Sequence, residues 1–299
     1  MLKKIVVFGG AGFLGSHVAD ALSQSGCAVT VFDQTVSPYL RPDQEMIVGN
    51  ILNPAEIQAA LQGADTVYHF AAVADIAAAK EEPRFAIEAN LLGTLNILEG
   101  CRKQGIKRFI FASTIYVYSA SGSFYRATKQ ACELFIEEYR KTYGLNFTVL
   151  RYGSLYGPRA GENNWIHRVI QQALQRHCIV RKGDGEEIRE YIHVRDAARL
   201  SVRILSEDFV NQYVIITGQQ MMRIKDVLLM VKEILGNQVE LKFEPASDDE
   251  HYEITPYHFS PKVALKLTDN VSVDLGQGIL ELLDIEFHHN NREARYLPA

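Results

Sequence analysis

Tyr125 and Lys129 stand four residues apart in a stretch patterned as a helix, so one helical face carries both a phenol and an ammonium. A cation beside a phenol favours the phenolate and brings its pKa down from about 10 toward the range of a general base. Such pairs also arise on helices that do no chemistry. What distinguishes this one is the apolar run Phe109-Ile110-Phe111 ahead of it, which leads into Ala112-Ser113-Thr114. A hydroxyl at that strand end can share a substrate oxygen with Tyr125. Near the N-terminus, Gly9-Gly10-Ala11-Gly12-Phe13-Leu14-Gly15 follows the apolar run Ile5-Val6-Val7-Phe8 and opens an alternating helix. Glycines at 9, 12 and 15 allow a tight strand-to-helix turn, close approach of main chain to a pyrophosphate, and close helix-on-strand packing. The helix N-terminus then faces the phosphates. Any strand-turn-helix junction tolerates glycine, so the next strand, Val29-Thr30-Val31-Phe32-Asp33, carries weight. It ends in a carboxylate about 20 residues on, where an acid binds a ribose 2′-hydroxyl and repels a 2′-phosphate, which favours NAD over NADP.

These residues need a scaffold, and the pattern supplies one. Strands over 3–8, 28–33, 45–49, 65–70, 107–113 and 146–151 alternate with helices over 13–25, 53–62, 84–104 and 125–143. That rhythm predicts an α/β fold, a doubly wound parallel sheet covered on both faces. Asn53-Pro54 reads as a helix start, and Gly26, Gly63, Gly105 and Gly144 as helix ends. After Gly157-Pro158-Arg159 the rhythm changes to helices over 165–176, 194–205, 224–235 and 277–284 with short strands over 178–181, 187–192, 212–217 and 238–243. We therefore expect a dinucleotide-binding domain over 1–157 and a smaller, interleaved C-terminal region over 158–299, with a ligand cleft between them.

Composition narrows the class. The 299 residues are 47% hydrophobic and 22% charged, which suits one or two globular units and excludes disorder. A net charge of -5 with scattered basic residues provides no cationic surface for nucleic acid. No apolar segment approaches the roughly 20 residues of a membrane span, and the N-terminal apolar run is needed as a strand, so a cytoplasmic protein is expected. Cys27, Cys101, Cys132 and Cys178 show neither metal-ligand spacing nor a disulfide framework, and no metal is expected.

The chain resembles the extended short-chain dehydrogenase/reductases, the NAD-dependent epimerase/dehydratases of nucleotide sugars, over nearly its whole length. The glycine motif, Asp33, Asn50-Ile51, His69-Phe70-Ala71-Ala72, Asn90-Leu91-Leu92-Gly93-Thr94 and Ser113-Thr114 carry the likeness in order. Val117-Tyr118, Tyr125 with Lys129, Arg151-Tyr152, Tyr156-Gly157-Pro158-Arg159 and Arg189-Glu190-Tyr191-Ile192-His193-Val194 with Asp196 continue it. The resemblance implies a Rossmann-type fold whose C-terminal region binds substrate. It also implies Tyr125 as base, Thr114 as the hydroxyl that polarises the sugar oxygen, and Lys129 as the ribose-binding lysine, so that Tyr125 and Lys129 also contact the cofactor. Gly9, Gly12, Phe13, Leu14 and Gly15 would hold the pyrophosphate, Asn50 and Ile51 would flank adenine, and Ala71, Ala72 and Asn90 would complete the NAD site. Ser113, Ser154, Asn164 and Arg189 would meet the substrate, Arg189 gripping its diphosphate with a bidentate guanidinium. His69 and His193 read as structural.

Departures from the family pattern shape the expected reaction. Ile115 and Tyr116 stand where the dehydratase branch has an Asp-Glu pair, so elimination of water is disfavoured, and Tyr116 also replaces the cysteine of a 3,5-epimerising branch. Ser154 replaces a common asparagine, a contact that Asn163 or Asn164 would supply instead. Only residues 119–124 separate Tyr118 from Tyr125, a shorter loop than is usual. The resemblance thus implies NAD-dependent hydride transfer at carbon 4 of a nucleotide-activated sugar, foremost as a 4-epimerase. The alternatives are a nucleotide-sugar dehydrogenase or 4-ketosugar reductase, and a non-catalytic NAD-binding sensor. Apolar residues Ile87, Leu91, Leu95, Leu98, Leu134 and Phe135 at helical spacing point to a homodimer of the kind the family builds through these two helices, with cover for the sheet as the alternative use of the stripe. The polar-aromatic run His251 to Phe259 is a candidate sugar contact, with a plain surface loop as the alternative.

Overall fold

Ile5 through Phe8 of strand β1 (Lys4–Phe8) are buried, as a strand covered on both faces requires. The chain turns at the glycines into α1 (Phe13–Gln24), and β2 (Ala28–Asp33) returns parallel to β1 with Phe32 beside Phe8. The computed structural model describes residues 3–245, 253 and 264–294. The later strands are β3 (Gln44–Val48), β4 (Thr66–His69), β5 (Arg108–Thr114), β6 (Asn146–Tyr152), β7 (Ser154–Tyr156), β8 (Cys178–Lys182), β9 (Ile188–His193), β10 (Gln212–Ile216), β11 (Met221–Arg223), β12 (Glu240–Glu244) and β13 (Leu265–Lys266). The later helices are α2 (Pro54–Ala60), α3 (Ile76–Glu81), α4 (Pro83–Ile87), α5 (Gly93–Gln104), α6 (Ser123–Tyr143), α7 (Trp165–Arg176), α8 (Val194–Arg203), α9 (Ile224–Ile234) and α10 (Leu275–Ala294).

Two units emerge, and they interleave along the chain. The first holds the chain up to Tyr152, then Ala197–Ile216 and a stretch ending at Leu267; the second holds Gly153–Asp196 and the segments starting at Thr217 and Thr268. In the first unit eight strands form one sheet in the order β13-β10-β6-β5-β4-β1-β2-β3. Every pairing in it is parallel. This is the Rossmann-type doubly wound sheet. Its order reverses between β1 and β4, the switch point outside whose carboxyl ends dinucleotides bind. Phe8, Phe32, Phe109 and Phe111 pack with Ile57, Leu61, Ile97 and Leu98 in the core on one side of the sheet, each such burial stabilising by about 1.5–3 kcal/mol. The returning segment is tied to the strands by polar contacts. The Tyr68 hydroxyl donates to the Ser201 carbonyl (2.7 Å), the Tyr152 hydroxyl pairs with Ser201 Oγ (2.6 Å), and Arg108 donates to the Ser206 carbonyl (3.0 Å).

One expected element differs. Instead of a single helix over 84–104 there are α4, a π-helical turn at Glu88–Leu92, and α5, with α3 ahead of them. Asp75 caps α3 by accepting from the Ala78 amide (2.8 Å), and Pro83 opens α4. At the π turn the Asn90 carbonyl accepts from Thr94 Oγ1 (2.5 Å) and Cys132 Sγ (3.2 Å). Side-chain donors thus satisfy a carbonyl that a regular helix would pair with an amide one turn on.

The second unit contains a three-stranded sheet, β11-β9-β7, and a parallel pair, β12-β8. Its core gathers Ile170 of α7, Val227, Leu228 and Val231 of α9, and Ile279 and Leu282 of α10. Cys101 and Cys132 are buried and Cys27 and Cys178 half-buried, all four as free thiols.

Candidate active site

The switch-point edge is built around glycines that cannot be replaced. Gly9 has φ +77°, and a Cβ there would lie 2.4 Å from the Ala71 amide nitrogen; a Cβ on Gly15 would lie 2.1 Å from the Gly9 carbonyl. The turn therefore sits directly against the loop after β4 and against the first turn of α1. No side chain caps α1, and its first turn carries no acid, which leaves the amide end free to face an anionic pyrophosphate. Asp33 closes the turn from the other side, accepting from the Ala11 amide at 3.0 Å and the Thr35 amide at 3.4 Å.

Beside this turn lies a cavity of about 320 Å³. Gly9, Gly12, Asp33, Asn50, Ile51, Ala71 and Ala72 all line it, bringing together seven of the residues singled out from sequence. Phe32, Gln34, Gly49, Leu52, Phe70, Val73, Phe85 and Ala89 complete the wall; most of them lie within or next to the motifs, whereas nothing in the sequence marked Phe85. Asn50 makes its own turn, its Oδ1 accepting from the Leu52 amide (2.8 Å). Ile51 reaches α5 because Gly93 is there: a Cβ at 93 would lie 2.5 Å from Ile51 Cδ1. Asn90 lies behind the wall. Its amide accepts from the Val73 amide (2.7 Å) and donates to the Val73 carbonyl (3.1 Å) and Thr128 Oγ1 (3.1 Å), tying the loop after β4 to the helix that carries Tyr125. Tight glycines, an uncapped helix start and an acid at the ribose position fit a dinucleotide with a free 2′-hydroxyl.

Along the same sheet edge, Thr114 ends β5 and Tyr125 lies in the first turn of α6. Their hydroxyls are hydrogen-bonded, and Lys129 is buried one turn further on. Its Nζ donates to the Ala112 carbonyl (2.7 Å) and lies 4.6 Å from the centre of the Phe111 ring and 6.0 Å from that of Tyr125. The expected lysine-lowered phenol is corrected by this arrangement. Burial pushes Tyr125 up to about 12, with the Thr114 hydrogen bond pulling the other way. Burial also brings Lys129 down to about 8, opposed by Cys132 and Glu133. The ammonium is held on a carbonyl and an aromatic face, and desolvation is the dominant influence on the phenol.

Ser113 is committed inward. Its Oγ donates to Glu133 Oε1 (2.6 Å), and Glu133 forms a two-pronged pair with Arg151, Nη2 to Oε2 at 2.7 Å and Nε to Oε1 at 3.1 Å. Arg151 Nη1 donates to the Tyr118 hydroxyl (2.7 Å), and its guanidinium lies 4.8 Å from the Tyr118 ring centre and 4.5 Å from that of Tyr213. This network fastens β5, β6 and the 3-10 turn Ile115–Tyr118 to α6 directly beneath Lys129. Glu133 was missed from sequence, although it stands four residues past Lys129 on the same face. His69 is buried, with Nε2 2.9 Å from Thr94 Oγ1, and burial drives its pKa well down, so it is a neutral packing group.

In the second unit, Ser154 is half-buried in β7 opposite Tyr191 of β9. Asn164 is the N-cap of α7, its Oδ1 accepting from the His167 amide (3.2 Å) and its Nδ2 donating to the Leu155 carbonyl (2.8 Å). Arg189 is buried in β9 and donates to the Ile188 carbonyl at 3.0 Å and the Glu253 carbonyl at 3.4 Å. His193 packs edge-on to Tyr156 and lies 3.4 Å from Glu281. Of the run 251–259, all but Glu253 lies outside the described residues.

A sequence profile described as the NAD dependent epimerase/dehydratase family matches residues 5–216, spanning the cofactor cavity and the Thr114–Tyr125–Lys129 cluster. The chain belongs to that family. It is an NAD-dependent enzyme of the extended short-chain dehydrogenase/reductase type, with NAD as its cofactor. Among solved structures it is similar to the UDP-glucose 4-epimerase of Thermotoga maritima with UDP-glucose, at 26% identity and TM-score 0.82, covering 96% of this chain and 99% of that one. The UDP-glucuronic acid 4-epimerase of Bacillus cereus, in complex with UDP-glucuronic acid and NAD, matches with the same identity, coverage and TM-score. A UDP-N-acetyl-alpha-D-glucosaminuronate decarboxylase of Bacillus cytotoxicus is 29% identical over 82% of this chain and 84% of its own length. Among the described residues, no helix of this family member is long and apolar enough to cross a membrane, and no group of three or more His, Cys, Asp or Glu is placed to hold a metal ion.

The Asp33 carboxylate at the end of β2 favours a ribose with a free 2′-hydroxyl over a phosphorylated one. The wild-type protein should bind NAD better than NADP by at least about tenfold, or 1.4 kcal/mol. Asp33→Asn keeps an acceptor for the Ala11 amide while removing the charge, and should narrow that gap. Titrations showing equal or tighter NADP binding to the parent would refute the assignment.

Proposed function

We propose that this protein is a nucleotide-sugar 4-epimerase, oxidising the carbon 4 hydroxyl of a UDP-hexose or UDP-hexuronate and reducing the resulting ketone on its other face. The observation that carries the reading is the Thr114–Tyr125 hydroxyl pair with Lys129 behind it, on the same carboxyl edge as the NAD cavity. Thr114 holds the sugar oxygen, and Tyr125 takes the hydroxyl proton as the carbon–oxygen double bond forms and returns it when the ketone is reduced. A phenol at about 12 keeps its proton at neutral pH, so base action there needs a positive charge brought beside it. Bound NAD supplies that charge in its oxidised form, together with the ring that accepts and returns two electrons.

Ile115 and Tyr116 follow Thr114, and neither offers the carboxylic acid that elimination of water from a ketosugar calls for. The similarity to 4-epimerases of UDP-glucose and UDP-glucuronic acid supports uridine diphosphate as the nucleotide. Ser154, Asn164 and Arg189 are proposed substrate contacts, and such a substrate fits a cytoplasmic enzyme. The test is mass spectrometry of the products from UDP-hexoses and UDP-hexuronates, with NADH absorbance followed in parallel. An isomer of equal mass without net NADH is the expected result. Loss of water, loss of carbon dioxide or stoichiometric NADH would each replace the epimerase reading with dehydratase, decarboxylase or dehydrogenase respectively.

A homodimer forms part of the proposal. Leu98 is buried and Leu91 and Leu95 pack on the core, so half of the apolar stripe serves the sheet. Leu134 (63% exposed), Phe135 (41%) and Ile87 (39%) remain outside it. Sedimentation at micromolar concentration should give twice the chain mass, and a monomer would remove this assignment.

A further inference from the structure

Phe85 is 58% exposed, an uncommon position for an aromatic ring that makes no contribution to the core. It is also part of the wall of the NAD cavity, together with Ala89 four residues further on. Residues four apart share a helical face, so the face that α4 and the π turn present to the cavity consists of Phe85 and Ala89. The opposite contribution comes from a separate segment, Asn50, Ile51 and Leu52, of which Leu52 is itself 39% exposed. Two apolar side chains are thus left open to solvent at one cavity. The remaining lining combines Asp33, Gln34 and glycine backbone with Phe32, Phe70, Ala71, Ala72 and Val73, a mixture suited to a ribose and its neighbouring base.

The segment bearing Phe85 is held in place at several points. Arg84 pairs with Glu88 (3.1 Å), linking α4 to the π turn. Asn90 anchors the middle of that turn to Val73 and Thr128. Asp75 caps α3, and α3 and α4 pack on each other and on α6. An exposed ring on so constrained a mount loses little freedom when a flat partner covers it.

We propose that Phe85 is an adenine-stacking residue of the NAD site, covering the base that Ile51 and Leu52 flank. Its ring meets the adenine face, and the two apolar surfaces leave water together. This rests on NAD being the cofactor and is independent of which sugar is turned over.

The test is calorimetric titration of the full chain, freed of bound nucleotide, with NAD and with ADP-ribose, which has the adenosine half and lacks nicotinamide. Phe85→Ala should weaken both ligands by the same factor, roughly tenfold, as the loss of a stacked aromatic predicts. Phe85→Trp, which retains a π face, should stay within about threefold of the parent. Because Phe85 is exposed, neither change threatens the fold, and urea midpoints equal to the parent's would confirm that. The proposal is overturned if Phe85→Ala binds both ligands like the parent, or if it loses NAD affinity while keeping that for ADP-ribose, which would put Phe85 at the nicotinamide end. It is equally overturned if Phe85→Ala keeps NAD affinity and sediments at lower mass, which would make Phe85 an interface residue.

Discussion

Tyr125→Phe should lower kcat by roughly 10²–10⁴-fold, the loss that follows removal of an acid–base group, while the dissociation constant for NAD is retained. The phenol is the group that pairs with the Thr114 hydroxyl, whereas the NAD cavity is walled by Gly9, Gly12, Asp33 and the Asn50–Leu52 segment. Chemistry and cofactor binding are therefore separable in this chain. Single-turnover oxidation of a UDP-sugar alongside NAD titration reads both. Turnover equal to the parent's would remove Tyr125 from the mechanism, and lost NAD binding would make it a cofactor contact first.

Glu133→Gln should destabilise the fold by about 3–5 kcal/mol, because it leaves the Arg151 guanidinium buried without its counter-charge. Both side chains are nearly sealed, Arg151 at 5% and Glu133 at 7% exposure, and Ser113 adds a third hydrogen bond to the same carboxylate. Replacing both members, as in Glu133→Met with Arg151→Met, removes the stranded charge and should restore most of the lost stability. That double variant should still turn over slowly, since Tyr118 and Ser113 lose the partners that hold the Thr114 turn. Urea unfolding of the two variants checks the first expectation and steady-state kinetics the second. A Glu133→Gln variant as stable as the parent would show that water or rearrangement compensates the charge.

The parallel sheet was legible in the sequence because its short apolar strands alternate with helices whose ends are marked by caps and glycines, as Asn53-Pro54 at the start of α2 and Gly105 at the end of α5 illustrate. The cofactor turn was legible because its chemistry is carried by backbone and by a few glycines at fixed spacing. The break at 88–92 was not. Apolar periodicity runs smoothly through Ile87, Leu91 and Leu95, and the extra residue per turn depends on Thr94 and Cys132 reaching the Asn90 carbonyl, one of them from a distant helix. Ser113 showed the same limit. A hydroxyl next to Thr114 reads as a substrate contact until Glu133, twenty residues on, is seen to accept from it. Helical spacing also cannot reveal desolvation, which is why Tyr125 and Lys129 were expected to favour the phenolate and the structure shifts both groups toward their neutral forms.

The discontinuity of the first unit bears on how the chain acquires its shape during synthesis. Six strands have been made by Tyr152, yet β6 then has no neighbour on its outer side until β10 is synthesised some sixty residues later. Until then Tyr68, Tyr152 and Arg108 lack Ser201 and the Ser206 carbonyl, their polar partners from the returning segment. A nascent chain halted after Tyr156 would present an open parallel edge and stranded buried polar groups, the conditions under which intermediates associate with one another. The ribosome must therefore release the whole of the second unit's first segment before the nucleotide-binding half can close, so a fragment cut at the apparent end of that half is an incomplete sheet and not a smaller enzyme.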